Sequence, residues 1–404
     1  MKKWLIGIAV VIAAALGIGW MSLDDDQRGL IANMPTDRNV LFWDEETRNA
    51  AFRAMDALPA LAQSRTIADG EATYPLPAGD PLDLGEFDME AYVDSQNSAA
   101  TVIVLDGEVV FERYDSGFSA DGKWTSFSVA KSLTSTLLGA AIADGFIGSV
   151  EDPVTQYLPD LEGSAYDGVT IRQLLTMSSG IRWSEDYDDP QSDIARFSEH
   201  VSREEGVDAL VDYMRQLPRD AEPGTRWQYN TGETNMIGML VREATGRNLA
   251  DYLSEKVWAP FGMEQDATWI LSNTGSEISG CCIQASTRDM ARFGLFAMGG
   301  GVAGEKQVVP EGWFEEATQS LYETGGRSVG YGYQWWTYPG EAYAARGLFG
   351  QGIFIDPARN LVIASNANWP DGVGNGGAKA ERDRFYEVVQ AAVDARNRAG
   401  AAAQ

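Results

Sequence analysis

Ser126-Phe127-Ser128-Val129-Ala130-Lys131, with the apolar run that follows it to Phe146, is the stretch on which the reading of this chain turns. As a helix it puts Ser128 in the first turn and Lys131 one turn on, so both side chains share a face. A serine hydroxyl becomes a nucleophile when a neighbour takes its proton. A lysine held against apolar surface loses enough basicity to do that as a neutral amine. The helix start also aims free backbone N–H groups at negative charge forming beside the serine. Ala130, Leu133, Leu137, Leu138, Ala140, Ala141 and Ile142 make the helix apolar on most sides, as a buried helix is, and Gly145 ends it. Ser-x-x-Lys alone is a common pattern, and a capping serine beside a solvated lysine produces it equally well.

Downstream, Arg226-Trp227-Gln228-Tyr229-Asn230-Thr231-Gly232 follows Glu222-Pro223-Gly224, which places Tyr229 on a loop before a helix starting near Thr234. A phenol near a lysine ammonium can act as general base and return the proton to a leaving group. Taken singly, Tyr229 reads equally as a packed tyrosine with a bonded hydroxyl.

The 404 residues include one histidine, His200, in a polar surface-like stretch, so a Ser-His-Asp triad or a His-rich metal site has almost nothing to build on. Cys281 and Cys282 are adjacent; neighbouring cysteines rarely bridge, and they read as small packed residues with no disulfide framework. The 31 basic and 59 acidic residues give a net charge of -28, which repels phosphate backbones and argues against nucleic acid as a partner. The acids are spread along the chain, a pattern that suits solubility at high salt.

Met1-Lys2-Lys3 precedes an apolar run from Trp4 to Met21 and Asp24-Asp25-Asp26 follows it. A run of roughly 18 residues just reaches across a bilayer. Basic residues before it and acidic ones after it place the bulk of the chain outside the cytoplasm. The expectation is a retained anchor over residues 1–26 in the inner membrane with a periplasmic catalytic part, or a secreted or periplasmic protein if the segment is a cleaved signal.

Residues 27–90 read as a connecting region with one helix over 45–62. Thr101–Leu105 and Glu108–Arg113 form a hairpin about Asp106-Gly107. From 148 to about 280 the patterns are mainly helical: 169–177, 234–244 and 249–257, with a further amphipathic helix over 286–298. Strands return at 330–338, 342–348, 352–355 and 361–365, and a helix over 378–398 precedes a frayed Ala-rich end. The fold class expected is α/β, more strictly α+β: an antiparallel sheet built from both chain ends, flanked by helices, with an inserted mainly helical lobe. The main domain is expected over 91–396, followed by a tail over 397–404.

The ordered set of Ser128/Lys131, Tyr229 and the late strand glycine Gly347 resembles the serine β-lactamase and penicillin-binding-protein superfamily, for which Ser-x-x-Lys is a signature. Leu174–Ile181, Trp183-Ser184-Glu185-Asp186-Tyr187, Ser286–Gly294 and Arg346-Gly347-Leu348-Phe349-Gly350-Gln351 resemble its class C-like branch, which includes 6-aminohexanoate-dimer hydrolases and related carboxylesterases. The likeness runs from about 101 to 390. It implies Ser128 as acylated nucleophile, Lys131 as its proton partner, Tyr229 as general base and acid, and the backbone N–H groups of Ser128 and Leu348 as the oxyanion hole. Tyr187 and Gly347 would meet substrate, an ester or linear amide, and no cofactor or metal is implied. Two motifs depart from the pattern. Thr231 stands where Tyr-x-Asn has its last residue, and Ala345-Arg346-Gly347 replaces Lys-Thr-Gly, which removes the usual contact to a β-lactam carboxylate. Penicillin recognition and a catalytically dead, membrane-anchored binding protein are the rival expectations. Gly326–Gly330 matches G-x-S-x-G without a following helix, and Gly372–Gly377 matches G-x-G-x-x-G without a second strand. The first is discounted and the second read as a loop at the cleft rim. Trp183, Tyr187, Trp335, Trp336 and Trp369 suggest an aromatic cleft, though such residues more often pack in a core.

Overall fold

The computed structural model of the chain describes residues 17, 20–21, 23, 25–36, 40–58, 61–202, 207–324 and 330–402. An early strand, β1 (Ser64–Ile67), precedes the hairpin of β2 (Ser98–Leu105) and β3 (Glu108–Tyr114). Asp106 and Gly107 close that hairpin at φ 51° and 83°, the left-handed pair that a tight turn matched to strand twist requires. Then come β4 (Trp124–Thr125), β5 (Ala267–Ile270), β6 (Ile283–Ala285), β7 (Val302–Ala303) and β8 (Lys306–Gln307). The last five are β9 (Gly330–Tyr331), β10 (Trp336–Thr337), β11 (Tyr343–Arg346), β12 (Gly352–Asp356) and β13 (Leu361–Ala367).

Seven of these strands form one antiparallel sheet in the order β3-β2-β13-β12-β11-β10-β9, so both chain ends do build it, with β2 registered against β13 from Leu105↔Leu361 onward. Alternation along the central strands serves two cores. Ile103, Leu105, Phe354 and Ile363 face Phe385, Tyr386, Val389 and Val393 of the closing helix Ala378–Ala402. Val102, Val104, Ile353, Val362 and Ala364 face the other way, onto Leu133 and Leu137 of the helix Ala130–Ala143 and onto the helix Thr287–Met298. Leu133, Leu137 and Leu138 are fully buried, and burying each contributes about 1.5–3 kcal/mol. The Ser128 helix is thus wedged between the large sheet and the helical segments, as its apolar composition requires.

Several expectations change. A second sheet of order β1-β5-β6-β4 takes strands from inside the expected helical lobe and from the early connecting stretch; its strands run two to four residues, too short to print a period. The aromatic stretch after Gly330 splits into β9 and β10, because Gln334 takes φ 65° and breaks the extended backbone. The early helix stops at Ala54 instead of continuing to 62. The helix expected over 169–177 is only Ile171–Leu175, started by a Thr170/Gln173 capping box. The closing helix continues to Ala402, with no frayed Ala-rich end before that residue. Cys281 and Cys282 are joined to each other, contrary to expectation. His200 is not the solvated residue expected: Nε2 lies 2.8 Å from Asp212 Oδ2, and its ring meets Tyr213 edge-on at 5.3 Å. No helix among the described residues is long and apolar enough to cross a membrane; most of the run expected as an anchor, and residues 326–329 of the G-x-S-x-G match, lie outside them.

Candidate active site

Ser128 sits in a 3-10 turn, Phe127–Val129, that leads directly into the helix Ala130–Ala143. The turn is tied to the neighbouring sheet on both sides. Ser126 N donates to Ile283 O (2.8 Å) and Cys282 N to Phe127 O (3.2 Å), while Ile283 N donates to Ser126 Oγ (3.0 Å). Phe127 itself takes φ 43°, an uncommon conformation for a residue with a side chain, immediately before the nucleophile candidate.

One helical turn on, Lys131 Nζ lies 3.1 Å from Ser128 Oγ and donates to Gly280 O at 2.6 Å. That carbonyl is held in turn, since Gly280 N donates to Asn235 Oδ1 (3.2 Å) and Asn235 Nδ2 to Thr231 O (3.0 Å). The lysine is 2 % exposed. Burial brings its ammonium down to about 8 from 10.5, with the charge of Glu185 pulling the other way.

Tyr229 closes the group, although it is about a hundred residues away in sequence. Lys131 Nζ stands 5.3 Å from the Tyr229 ring centroid, and Trp336 stacks on the same ring at 5.8 Å. Burial, then the Glu185 charge, push the phenol well above its ordinary range, while a hydrogen bond with Ser128 draws it part of the way back.

Glu185 is the residue that sequence reasoning missed. Its carboxylate accepts from Tyr187 Oη (2.6 Å) and Thr231 N (3.0 Å), and also from Thr231 Oγ1 and Trp183 Nε1. It therefore braces Tyr187, the first turn of the helix Thr231–Thr245 and, through its charge, both Lys131 and Tyr229. The available signal was Thr231 in place of the asparagine of Tyr-x-Asn, since a hydroxyl there needs an acceptor. Thr231 satisfies that need on Glu185.

The late strand arrives where the motif requires. Gly347 lies so close to Ser126 O that a Cβ would overlap it, and such a Cβ would stand 3.1 Å from Phe127 Cβ. This close approach sets Leu348 beside the Ser128 turn. A cavity of about 540 Å³ opens beside Leu348, lined among others by Tyr187, Glu185, Phe42 and Asp371; Ser128, Lys131 and Tyr229 are not among its lining residues, and Glu185, whose charge reaches both Lys131 and Tyr229, connects it to them. Gly372 and Val373 also line it. Of the five aromatic residues suggested for the cleft, Tyr187 alone lines this cavity; Trp335 is core, and Trp369 Nε1 donates to Gln96 Oε1 at 2.9 Å. Arg346 sets its guanidinium 4.6 Å over the Tyr338 ring and 5.3 Å over the Trp336 ring, with Nη2 3.3 Å from Asp383. Ala345, at the first place of the Lys-Thr-Gly motif, is fully buried.

A family model described as Beta-lactamase matches residues 89–387. The chain belongs to the beta-lactamase family. It is a serine hydrolase. Among curated relatives of this family, the 6-aminohexanoate-dimer hydrolase of Paenarthrobacter ureafaciens is 31% identical over 346 residues, covering 81% of this chain and 88% of that protein. Among solved structures, a candidate 6-aminohexanoate-dimer hydrolase of Bacillus anthracis matches with a TM-score of 0.75 at 22% identity, over 88% of this chain and 98% of the other. A family VIII carboxylesterase matches at TM-score 0.59 and 18% identity, over 78% and 99%. These two share the fold: the antiparallel sheet with flanking helices that carries the Ser128 turn in this member of the family.

Proposed function

We propose that this serine hydrolase cleaves carboxylic esters or linear amides through an acyl-enzyme on Ser128. The observation that carries the reading is Lys131 Nζ at 3.1 Å from Ser128 Oγ, in a burial that brings the lysine to about 8. A neutral amine is then accessible near neutral pH, whereas the Tyr229 phenol stays protonated at rest. Lys131 takes the hydroxyl proton as Ser128 Oγ bonds to the substrate carbonyl carbon. The proton passes from the ammonium through the Tyr229 phenol to the departing oxygen or nitrogen as the bond to it breaks. Water then attacks the acyl carbon, gives up a proton by the same route and restores the serine. The Ser128 and Leu348 amides hold the oxyanion, each worth a factor of about 100 to 1000 in rate.

Glu185, Asp186, Asp188 and Asp371 line the cavity against a single cation, Arg48, whose guanidinium is already tied to three neutral oxygens. Asp371 accepts N–H groups from Val373, Asn375 and Gly376 of its own loop, at 3.2, 3.0 and 3.0 Å, and stays ionised. The lining favours neutral or cationic acyl groups over anionic ones. With Ala345 at the motif's first position and Arg346 turned to Asp383, a β-lactam carboxylate lacks its usual cation, which argues for the esterase and amide-hydrolase branch over penicillin recognition.

The test compares nitrophenyl esters of neutral, cationic and anionic acyl groups, and a linear 6-aminohexanoate dimer, on wild type and Ser128→Ala. Turnover that survives in Ser128→Ala on every substrate ends the assignment. Faster turnover of the anionic ester than of the cationic one ends the charge preference. We propose an extracytoplasmic location from the Lys2-Lys3 and Asp24-Asp25-Asp26 pattern alone; recovery of the protein solely in the cytosolic fraction would contradict it.

A further inference from the structure

Two residues beside the candidate oxyanion amides hold unusual backbone. Phe127, immediately before Ser128, takes φ 43°, and Phe349, immediately after Leu348, takes φ 58°. Side-chain-bearing residues persist in that region when the surroundings hold them there, and such strain gathers at functional sites. Backbone hydrogen bonds to Cys282, Gly372 and Trp369 supply part of the surroundings, and the side-chain packing comes from the helix Glu45–Ala54, which lies ahead of the matched family region at 89–387.

Phe52 of that helix is fully buried between the two rings. Its centroid is 5.1 Å from Phe127 and 5.3 Å from Phe349, which are themselves 5.4 Å apart. The three rings close a triangle whose far corners are the two left-handed residues. Arg48, one turn earlier, sets its guanidinium 4.6 Å over the Phe349 ring. It donates from Nε to Asn368 Oδ1 (2.8 Å), from Nη1 to Trp43 O (3.0 Å) and from Nη2 to Trp369 O (3.0 Å). Trp369 N donates to Phe349 O at 3.2 Å. These three hydrogen bonds from a buried guanidinium all end on neutral oxygens, so here it works as a tie. It binds the early helix to the chain that follows β13 and, through Trp369, to the backbone of Phe349.

We propose that Phe52 and Arg48 are positioning residues for the oxyanion hole: together they fix Phe127 and Phe349, and through them the aim of the Ser128 and Leu348 amides. The inference rests on the acyl-enzyme reading above. The early helix is then part of the catalytic apparatus, although it makes no chemical step itself. A displacement of about 1 Å at such a site costs on the order of 100-fold in rate.

The experiment uses the full chain as wild type, Phe52→Ala, Phe52→Leu and Arg48→Met. It measures kcat and KM on a neutral nitrophenyl ester and the Ki of an aryl boronic acid, whose tetrahedral adduct on serine places an oxygen in the hole. Each variant is assayed well below its own melting temperature. Phe52→Ala is expected to lose about 100-fold in kcat with KM within threefold, the boronate Ki rising in parallel. Phe52→Leu restores part of both, and Arg48→Met falls between it and Phe52→Ala. If Phe52→Ala does not fold, Phe52→Leu and Arg48→Met carry the same comparison. Variants that melt earlier yet keep kcat and Ki within twofold of wild type overturn the inference and leave the hydrolase reading intact. A wild type that neither hydrolyses the ester nor binds the boronate overturns the acyl-enzyme reading, and this inference with it.

Discussion

Proton uptake by Lys131 gives the sharpest expectation. Burial takes its ammonium from 10.5 to about 8. The neutral fraction at pH 7 is then about 10%, roughly 300-fold more than an ordinary lysine would offer. The kcat/KM of an ester should therefore rise about tenfold per pH unit from pH 6, bend near pH 8, and level off above it. Substituting Lys131→Met should remove the rising limb and cost several powers of ten in kcat, leaving whatever the oxyanion donors supply unaided. The assay is steady-state hydrolysis of a nitrophenyl ester from pH 6 to 10, corrected for spontaneous hydrolysis and checked for folding by circular dichroism at each pH. A profile that is flat from pH 6 to 9, or that bends only above pH 10, would refute the assignment of Lys131 as the proton acceptor.

Glu185→Gln keeps the shape of the brace but removes a charge that holds the Lys131 ammonium up, so the bend should move to lower pH while kcat falls through loosened Tyr187 and Thr231; a bend moving upward would contradict the electrostatics. Gly347→Ala should abolish activity, because a Cβ there overlaps Ser126 O and forces the late strand away from the nucleophile; wild-type kcat in a folded variant would show that the close approach is unimportant. Glu233 is buried, its Oε2 has no hydrogen-bond partner, and its carboxyl is raised to about 8 from 4.5. A raised carboxyl keeps its proton longer in the folded than in the unfolded chain, so its contribution is full below pH 4.5 and is lost as pH rises through about 8. Glu233→Gln should consequently melt higher than wild type at pH 8.5 and nearly the same at pH 4.5, read by thermal denaturation at both; equal shifts at both pH values would count against it.

Where a segment's partner is close in sequence, the chain was legible. The hairpin about Asp106-Gly107, the buried helix after Ser128, and the late strands at 342–348, 352–355 and 361–365 all follow from turn chemistry and periodicity, and each appears within a few residues of its expected bounds. Ser128 and Lys131 meet because three residues of helix make them meet. Tyr229 was legible only through its motif, since nothing local says that its loop folds back onto the serine. For Glu185 the one signal was indirect, the hydroxyl of Thr231 that needs an acceptor, and it does not say which residue supplies it. Glu185 stands on a loop, and its partners Trp183, Tyr187 and Thr231 become one site only after the fold has formed. The small second sheet escaped because its strands run only two to four residues, one or two alternation cycles, and β5 and β6 are buried on both faces and so show no alternation. Gln334 hid a break inside an aromatic run that otherwise favours strand. The early helix was readable as a helix, but not its destination. Phe52 looks like any core residue until Phe127 and Phe349 are seen on either side of it.

The central claim is a covalent bond to one oxygen, and intact-protein mass spectrometry tests it directly. After exposure to a fluorophosphonate, wild type should gain the mass of one adduct, located by peptide mapping to the segment carrying Ser128, and Ser128→Ala should gain none. Labelling that persists in Ser128→Ala, or that maps to any other serine, would contradict the account.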